Sequence, residues 1–234
     1  MYAGSLNSYR VSLIYFLAYY HVPIDEDHWK YLSFVWKGKL YEFKTLCFGL
    51  RNAPYAFDRL GQALRKFFQL LSIRIIIYYD DLLVLAQGCA KCIKDAQFVI
   101  DTLVKLGFRI KIEKCILSPS QRFFFLGFIW DTINMECVLP EEKLANIHAL
   151  CQKIEPKKHV TVQLVQRLLG TIMASRPAVP LTRARSRGIQ RTVLDHYDGT
   201  KKSAKKLIRM SDWATNEVEW WLNLRTEDCR MSLG

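Results

Sequence analysis

The sequence predicts an α+β fold: an antiparallel sheet with helices on one face, followed by a helical region. Three observations predict it. Short apolar runs of strand length occur around residues 11–24, 75–79 and 82–86. Apolar residues recur at steps of three and four within residues 53–68 and 90–106, which places them on one helical face. From Pro140 onward the apolar pattern keeps the helical period.

The bulk numbers bound the partners. The chain has 234 residues, half of them hydrophobic, and a net charge of +12. A core is within reach, and a balance that basic points to a polyanion, either nucleic acid or an acidic membrane face. No apolar run reaches the roughly 18 residues of a membrane span, and no recognisable targeting segment follows Met1. Seven cysteines without a secretory signal read as reduced thiols of an intracellular protein, cytoplasmic or nuclear. Cys89-Ala90-Lys91-Cys92 has zinc-like spacing, but no second pair answers it.

Taken in order, residues 2–10 are polar and carry little information. Val11 to Ile24 is strand-like, Asp25-Glu26-Asp27 a turn, Trp29 to Trp36 a second strand and Leu40 to Lys44 a third, with Lys37-Gly38-Lys39 between them. Phe57, Leu60, Leu64 and Phe67 then form a helical face, with Asn52 as N-cap and Pro54 in the first turn. A second helix carries Ile93, Ala96, Ile100 and Leu103 and stops at Gly107. Phe108 to Ile112 alternates like a strand, and Phe123 to Trp130 reads as one buried strand whose chain turns at Asp131–Asn134 and returns through Met135–Leu139. Leu144, Ile147 and Leu150-Cys151 mark a helix. Thr161 caps the next one, which buries Leu164, Val165, Leu168, Leu169 and Ile172, and Ser211 caps a last helix with Trp213, Val218, Trp220 and Trp221. No repeat or low-complexity tract is visible.

The candidate chemistry sits between two strands. Ile75 to Ala86 reads apolar run, Asp80-Asp81, apolar run, so the simplest geometry is a hairpin with both carboxylates at its tip. Two anions there repel each other, and a hard divalent cation offsets that cost; an ordinary solvated turn is the bland alternative. A second feature is one-signed charge. Arg176, Arg183, Arg185, Arg187 and Arg191 occur with no acid between them, and Lys201, Lys202, Lys205, Lys206 and Arg209 follow. Solvated helix faces normally mix signs, so phosphate contacts explain the cluster better.

Tyr78-Tyr79-Asp80-Asp81 resembles the Tyr-x-Asp-Asp box of reverse transcriptases. Leu46 to Phe57, reading Leu-Cys-Phe-Gly-Leu-Arg-Asn-Ala-Pro-Tyr-Ala-Phe, resembles the family's preceding block, Leu-Pro-Phe-Gly-Leu-x-x-Ala-Pro-x-x-Phe. Here Cys47 stands for the usual Pro. Ala18 to Ile24, Ala-Tyr-Tyr-His-Val-Pro-Ile, resembles the end of the first catalytic block, and Leu106-Gly107-Phe108 through Glu113-Lys114-Cys115 the fourth. The resemblance covers residues 9–223 and is closest to tyrosine-recombinase retrotransposons, the DIRS-like and Ngaro-like elements. It implies a reverse-transcriptase palm in residues 1–140, with N-terminal fingers largely missing, and a helical thumb or connection in residues 141–234, the boundary lying near Pro140. It implies RNA-templated DNA synthesis from dNTPs by two-metal phosphoryl transfer with Mg²⁺ or Mn²⁺. Asp80 and Asp81 are then catalytic and metal-binding. Tyr19, Phe48, Gly49 and Lys114 line the nucleotide site, Tyr19 where the family excludes a ribose 2′-hydroxyl, and Leu126 and Gly127 belong to the primer grip. Arg176, Arg183, Arg185, Arg187 and Arg191 hold the RNA or DNA template–primer. An RNase H-like domain of a longer polyprotein is a further expected partner.

One departure puts the activity in doubt. Counting back from Ala18, Ile14 occupies the position of the first metal-binding Asp, and Leu17 that of a second, structural Asp; Ser12 still matches. Three readings follow: a polymerase impaired at Ile14 and weak in metal binding, a non-catalytic nucleic-acid-binding remnant, or a decayed fragment with no function of its own.

Overall fold

A computed structural model describes residues 8–15, 18–154 and 159–233; Leu17 lies outside them. The described chain forms two compact units, one within residues 8–121 and one within 122–233. This division falls upstream of Pro140, because strands after Arg122 share their core with the helices that follow. Phe128, Cys137 and Leu139 are buried in one cluster with Ile147, Leu168 and Trp221.

The first unit is built on a four-stranded antiparallel sheet. Its strands are β1 (Ser8–Ile14), β4 (Arg74–Tyr78), β5 (Asp81–Gln87) and β6 (Ile116–Ser120), in the order β4-β5-β1-β6. Between β1 and β4 lie β2 (Ser33–Trp36) and β3 (Lys39–Glu42), a separate hairpin, and the helix α1 (Ala53–Leu70); α2 (Cys89–Lys105) follows β5. Val11 and Leu13 of β1, Ile75 and Ile77 of β4, and Leu82, Val84 and Ala86 of β5 share one core with Phe57, Leu64 and Phe68 of α1 and Cys92, Ala96, Val99 and Leu103 of α2. Because side chains alternate along a strand, Ile14, Tyr78 and Asp81 belong to the opposite face of the sheet.

Several expectations shift. The first strand begins at Ser8 and ends at Ile14, and Ala18–His21 is a 3-10 turn rather than strand. Arg10, in the stretch that looked uninformative, is buried. Residues 26–32 form 3-10 helix, so the second strand holds only Ser33–Trp36. Asn52 occupies the N-cap position of α1 but its side chain makes no capping bond, its backbone being already helical. The buried stripe of α1 runs through Phe57, Leu64 and Phe68 while Phe67 is exposed, and in α2 Ile93 is exposed while Cys92 and Val99 are buried. A helix of 3.6 residues per turn drifts off a fixed three–four count, and the tertiary partner decides which neighbouring position faces inward. Residues 108–112 contribute only the isolated bridge Tyr15↔Ile110, and β6 follows after a 3-10 turn at Ile112–Lys114.

In the second unit the run 123–130 is not one strand but two. β7 (Arg122–Phe125) and β8 (Phe128–Asp131) pair antiparallel around a two-residue turn. Both turn residues, Leu126 (φ +49°) and Gly127 (φ +82°), have positive φ, the geometry that matches strand twist in tight hairpins. β9 (Glu136–Val138) pairs with β8. Then come α3 (Glu141–Ile154), β10 (Val160–Thr161), α4 (Val162–Ala174), α5 (Arg187–His196), α6 (Lys201–Ala204), β11 (Leu207–Ile208), α7 (Asp212–Leu222) and β12 (Arg230–Ser232), which pairs with β9. Thr161 and Ser211 cap α4 and α7 as read, accepting from the N–H groups of Leu164 and Ala214. Leu164 and Leu169 pack only partly buried against the core, as does Trp220, and Trp213 is exposed. Among the described residues no helix is long and apolar enough to cross a membrane.

Candidate functional site: the carboxylate hairpin and its surroundings

β4 and β5 form a hairpin in which Tyr78 pairs with Asp81, leaving Tyr79 and Asp80 as the turn. Tyr79 has φ +48°, a left-handed conformation that costs a non-glycine residue on the order of 1 kcal/mol or more. Asp80 thus lies in the turn and Asp81 opens β5, so the two acids stand side by side at one end of the hairpin.

The register on the other side of β5 decides the chemistry. Ile14 is the direct partner of Asp81. The Tyr15 N–H donates to the Asp80 carbonyl at 2.9 Å, while the Ile14 carbonyl accepts from the Lys111 N–H at 2.9 Å, away from β5. Ile14 and Asp81 are therefore a non-hydrogen-bonded pair, the kind whose Cα atoms approach to about 4.5 Å and whose side chains lie closest. A carboxylate at position 14 would stand beside Asp81; the butyl side chain of Ile14 offers no donor atom.

The electrostatics follow from that gap. Burial pushes the Asp80 carboxyl above the usual carboxylate range, and the neighbouring Asp81 charge pushes it the same way. Burial alone raises Asp81. Among the described residues no side chain or backbone N–H donates a hydrogen bond to either carboxylate, and no three His, Cys, Asp or Glu side chains stand close enough to hold a metal. The donor set therefore does not fit a two-metal centre: two mutually repelling carboxylates on one strand end lack the third on the neighbouring strand.

Tyr19 and Phe48 do come together beside this hairpin. Their rings are 5.2 Å apart, and Tyr19 also meets Phe57 edge-on at 5.7 Å. The Tyr19 hydroxyl is pushed up by burial and then by the Tyr79 hydroxyl and the Asp80 carboxylate, which places the ring near the hairpin tip. Gly49, with φ +91°, lies in the turn after Phe48 that leads into α1. Lys114 is exposed in the 3-10 turn before β6, and no contact ties it to Asp80 or Tyr19. Two residues near the site were missed by the pattern reading. His21 accepts the Arg109 N–H at Nε2 (2.9 Å), bonds the Ala18 carbonyl through Nδ1 and so ties the turn carrying Tyr19 to the segment before β6. Cys115 accepts the Ile14 N–H at Sγ (3.3 Å) on the side of β1 away from Asp81. Neither residue belongs to a local pattern, because each reaches its partner over about ninety or more positions of chain.

In the second unit, Leu126 and Gly127 form the tip of the β7–β8 hairpin. A cation that the sequence did not signal lies there: the Lys143 ammonium rests 4.4 Å above the Phe128 ring and fills the space a side chain on Gly127 would need. All five arginines of the basic cluster are exposed. Arg191 pairs with Asp195 at 3.0 Å, and the Arg185 guanidinium lies 5.3 Å over the Trp220 ring. Among the described residues, Arg176, Arg183 and Arg187 have no acidic partner.

Comparison with known proteins agrees with the fold. The family described as "Reverse transcriptase (RNA-dependent DNA polymerase)" matches residues 9–130. The putative enzymatic polyprotein of Cassava vein mosaic virus is 35% identical over 206 residues, covering 86% of this chain and 30% of that protein. The retrovirus-related Pol polyprotein from transposon 297 of Drosophila melanogaster is 28% identical over 112 residues, 47% of this chain and 10% of that one. This chain thus spans between a tenth and a third of these relatives' length. A foamy viral protease–reverse transcriptase solved in complex with double-stranded DNA superposes with a TM-score of 0.72 at 20% identity, covering 93% of this chain and 35% of that one.

Proposed function

We propose, from the premise that this chain belongs to the reverse transcriptase (RNA-dependent DNA polymerase) family, that it is the template–primer-holding part of a retroelement polyprotein whose own DNA synthesis is impaired at Ile14. The observation that carries this reading is the register: Ile14 faces Asp81 in a non-hydrogen-bonded pair, so hydrocarbon stands where a bridging carboxylate is needed. Reverse transcriptases work with divalent metal, and Asp80 and Asp81 by themselves make only a weak Mg²⁺ or Mn²⁺ site. Losing a charged ligand from a two-metal centre costs on the order of a thousandfold or more in rate.

The remaining assignments belong to the same reading. Residues 1–140 act as palm and 141–234 as thumb or connection. Tyr19, Phe48, Gly49 and Lys114 surround an incoming dNTP, with the Tyr19 ring packed on Phe48 excluding a 2′-hydroxyl. Leu126 and Gly127 hold the primer end, and Arg176, Arg183, Arg185, Arg187 and Arg191 contact phosphates of an RNA or DNA template–primer. The parent element is of the DIRS-like or Ngaro-like type, and an RNase H-like domain is the expected neighbour in the polyprotein.

The test combines primer extension with titration of Mn²⁺ on wild type, Ile14→Asp and Asp80→Asn. The wild type should show no extension, and Ile14→Asp should bind Mn²⁺ more tightly by on the order of tenfold or more, since it supplies a third oxygen ligand. Robust extension by the unmodified chain, abolished in Asp80→Asn, would overturn the impairment. An affinity unchanged by Ile14→Asp would overturn the role assigned to position 14.

A further inference from the structure

The Cys89-Ala90-Lys91-Cys92 tetrapeptide has no zinc partner, but its place in the fold gives it another use. It forms the first turn of α2, a helix of 17 residues that begins directly after β5. Gly88 is the N-cap with φ +88°, and its carbonyl accepts the Cys92 N–H at 3.1 Å, so Cys89 is the first helical residue and Cys92 stands one turn later. Of the seven cysteines, Cys89 is the exposed one and Cys92 is fully buried. The Cys92 thiol points to the Val84 carbonyl at 4.0 Å, and Arg10 across the sheet exerts its positive charge on that thiol. Lys91 lies between the two cysteines, paired with the buried Asp95 at 2.6 Å. Burial pushes Cys92 up to about 11, with Asp95 and the Cys89 thiol acting the same way.

We infer that Cys89 and Cys92 are a reversible redox pair, Cys89 the attacking thiol and Cys92 the resolving one. The argument is geometric. Residues three apart on a helix have Cβ atoms roughly 5–6 Å apart, and their Cα separation lies within the roughly 4.4–6.8 Å that a disulfide spans. Cys89 is the exposed thiol at the first position of the helix, where a small disulfide can reach it. Cys92, fully buried, is shielded from external oxidants. Closing the bond requires the Cβ atoms to approach to about 3.8 Å, so the first turn must tighten. Gly88, at the junction with β5, is the joint that takes up this movement, and nothing lies within 4 Å of a Cβ placed there. A disulfide closed under such strain is more easily reduced, which makes the pair reversible.

The co-reactant is a low-molecular-weight disulfide such as oxidised glutathione. The Cys89 thiolate attacks one of its sulfurs, forming a mixed disulfide and releasing one glutathione thiolate. Cys92 then loses its proton and attacks the Cys89 sulfur, releasing the second. The protein loses two electrons and two protons, and the small disulfide is reduced to two thiols. The pair sits at the Gln87 end of β5, opposite Asp81, so its oxidation is separate from the carboxylate hairpin.

The experiment treats the whole chain with oxidised glutathione, blocks free thiols and maps peptides by mass. A peptide containing Cys89 and Cys92, lighter by two hydrogens and protected at both sulfurs, is expected. Before oxidation, Cys89 should alkylate faster than the half-buried Cys115 by on the order of tenfold. In Cys92→Ala the mixed disulfide on Cys89 should persist, and in Cys89→Ser Cys92 should stay reduced. A stable glutathione adduct on wild-type Cys89 with Cys92 still free, a dimer linked through Cys89, or two thiols that remain reduced would each overturn the proposal. The wild-type map decides the matter even where a variant fails to fold.

Discussion

The two units treat their carboxylates in opposite ways. In the first, Asp80 and Asp81 have no hydrogen-bond donor among the described residues and both are pushed upward. In the second, Asp131 is buried at the turn after β8 and accepts from the N–H groups of Ile133 and Asn134, both at 2.9 Å, and from the Asn134 side chain at 3.0 Å. The Asn134 backbone bond leads in holding its carboxyl below the ordinary range. Glu217 of α7 is only 4% exposed and uses both oxygens, at 3.0 Å each, to accept the Gly188 and Ile189 N–H groups that open α5. Gly188 permits that close approach, since a Cβ there would come within 2.9 Å of the Ala214 nitrogen. Carboxylates supplied with donors hold structure together. Asp80, exposed, and Asp81, half-buried, meet solvent instead, and the function proposed for the hairpin rests on that freedom.

The contrast is open to attack, most severely at Glu217. Glu217→Ala leaves two buried N–H groups at a helix start without an acceptor and should cost about 3 kcal/mol, read as a lowered urea midpoint. No change would mean that solvent replaces the carboxylate. The arginines test the second region's outward charge. Replacing Arg183 and Arg187 with Ala should reduce the slope of log affinity against log salt by about 0.7–0.9 for each, for an RNA or DNA template–primer. An unchanged slope would make them a solvated face.

The remaining two predictions share a pH axis and carry opposite signs. Asp131 sits below the ordinary carboxylate value of 3.8 in the folded chain, so its stabilisation is present above that pH and lost as the pH falls through the folded value. Asp131→Asn should therefore cost about 1 kcal/mol at neutral pH and progressively less below pH 3.8. Asp80 sits above 3.8, so ionising it opposes folding as the pH rises through its raised value. Asp80→Asn should raise Tm by about 1 °C at neutral pH, small because water reaches the group, and by nothing well below pH 3.8. Thermal scans of both variants across that range check the two signs together; a shared sign would dissolve the comparison.

What the sequence determined by itself was local. The Thr161 and Ser211 caps, the Gly107 stop with φ +87°, the breadth of α1 and α2, and the Asp80-Asp81 hairpin all rest on spacing within a few residues. The candidate residues Tyr19, Phe48 and Asp80 were legible from motifs, and the Tyr19 and Phe48 rings meet 5.2 Å apart. Tertiary structure decided the rest. It split Phe123–Trp130 into two strands, since a tight hairpin and a single strand read alike in a continuous apolar run. It drew Ser8–Arg10 into β1 and added β6, whose pairings become favourable only when the partner strand is present. It brought Glu217 to the start of α5 from 28 and 29 positions away. Most of all, it set Ile14 against Asp81. Strand register is a long-range pairing, and a slip of one residue would have turned Ile14 to the other face of the sheet.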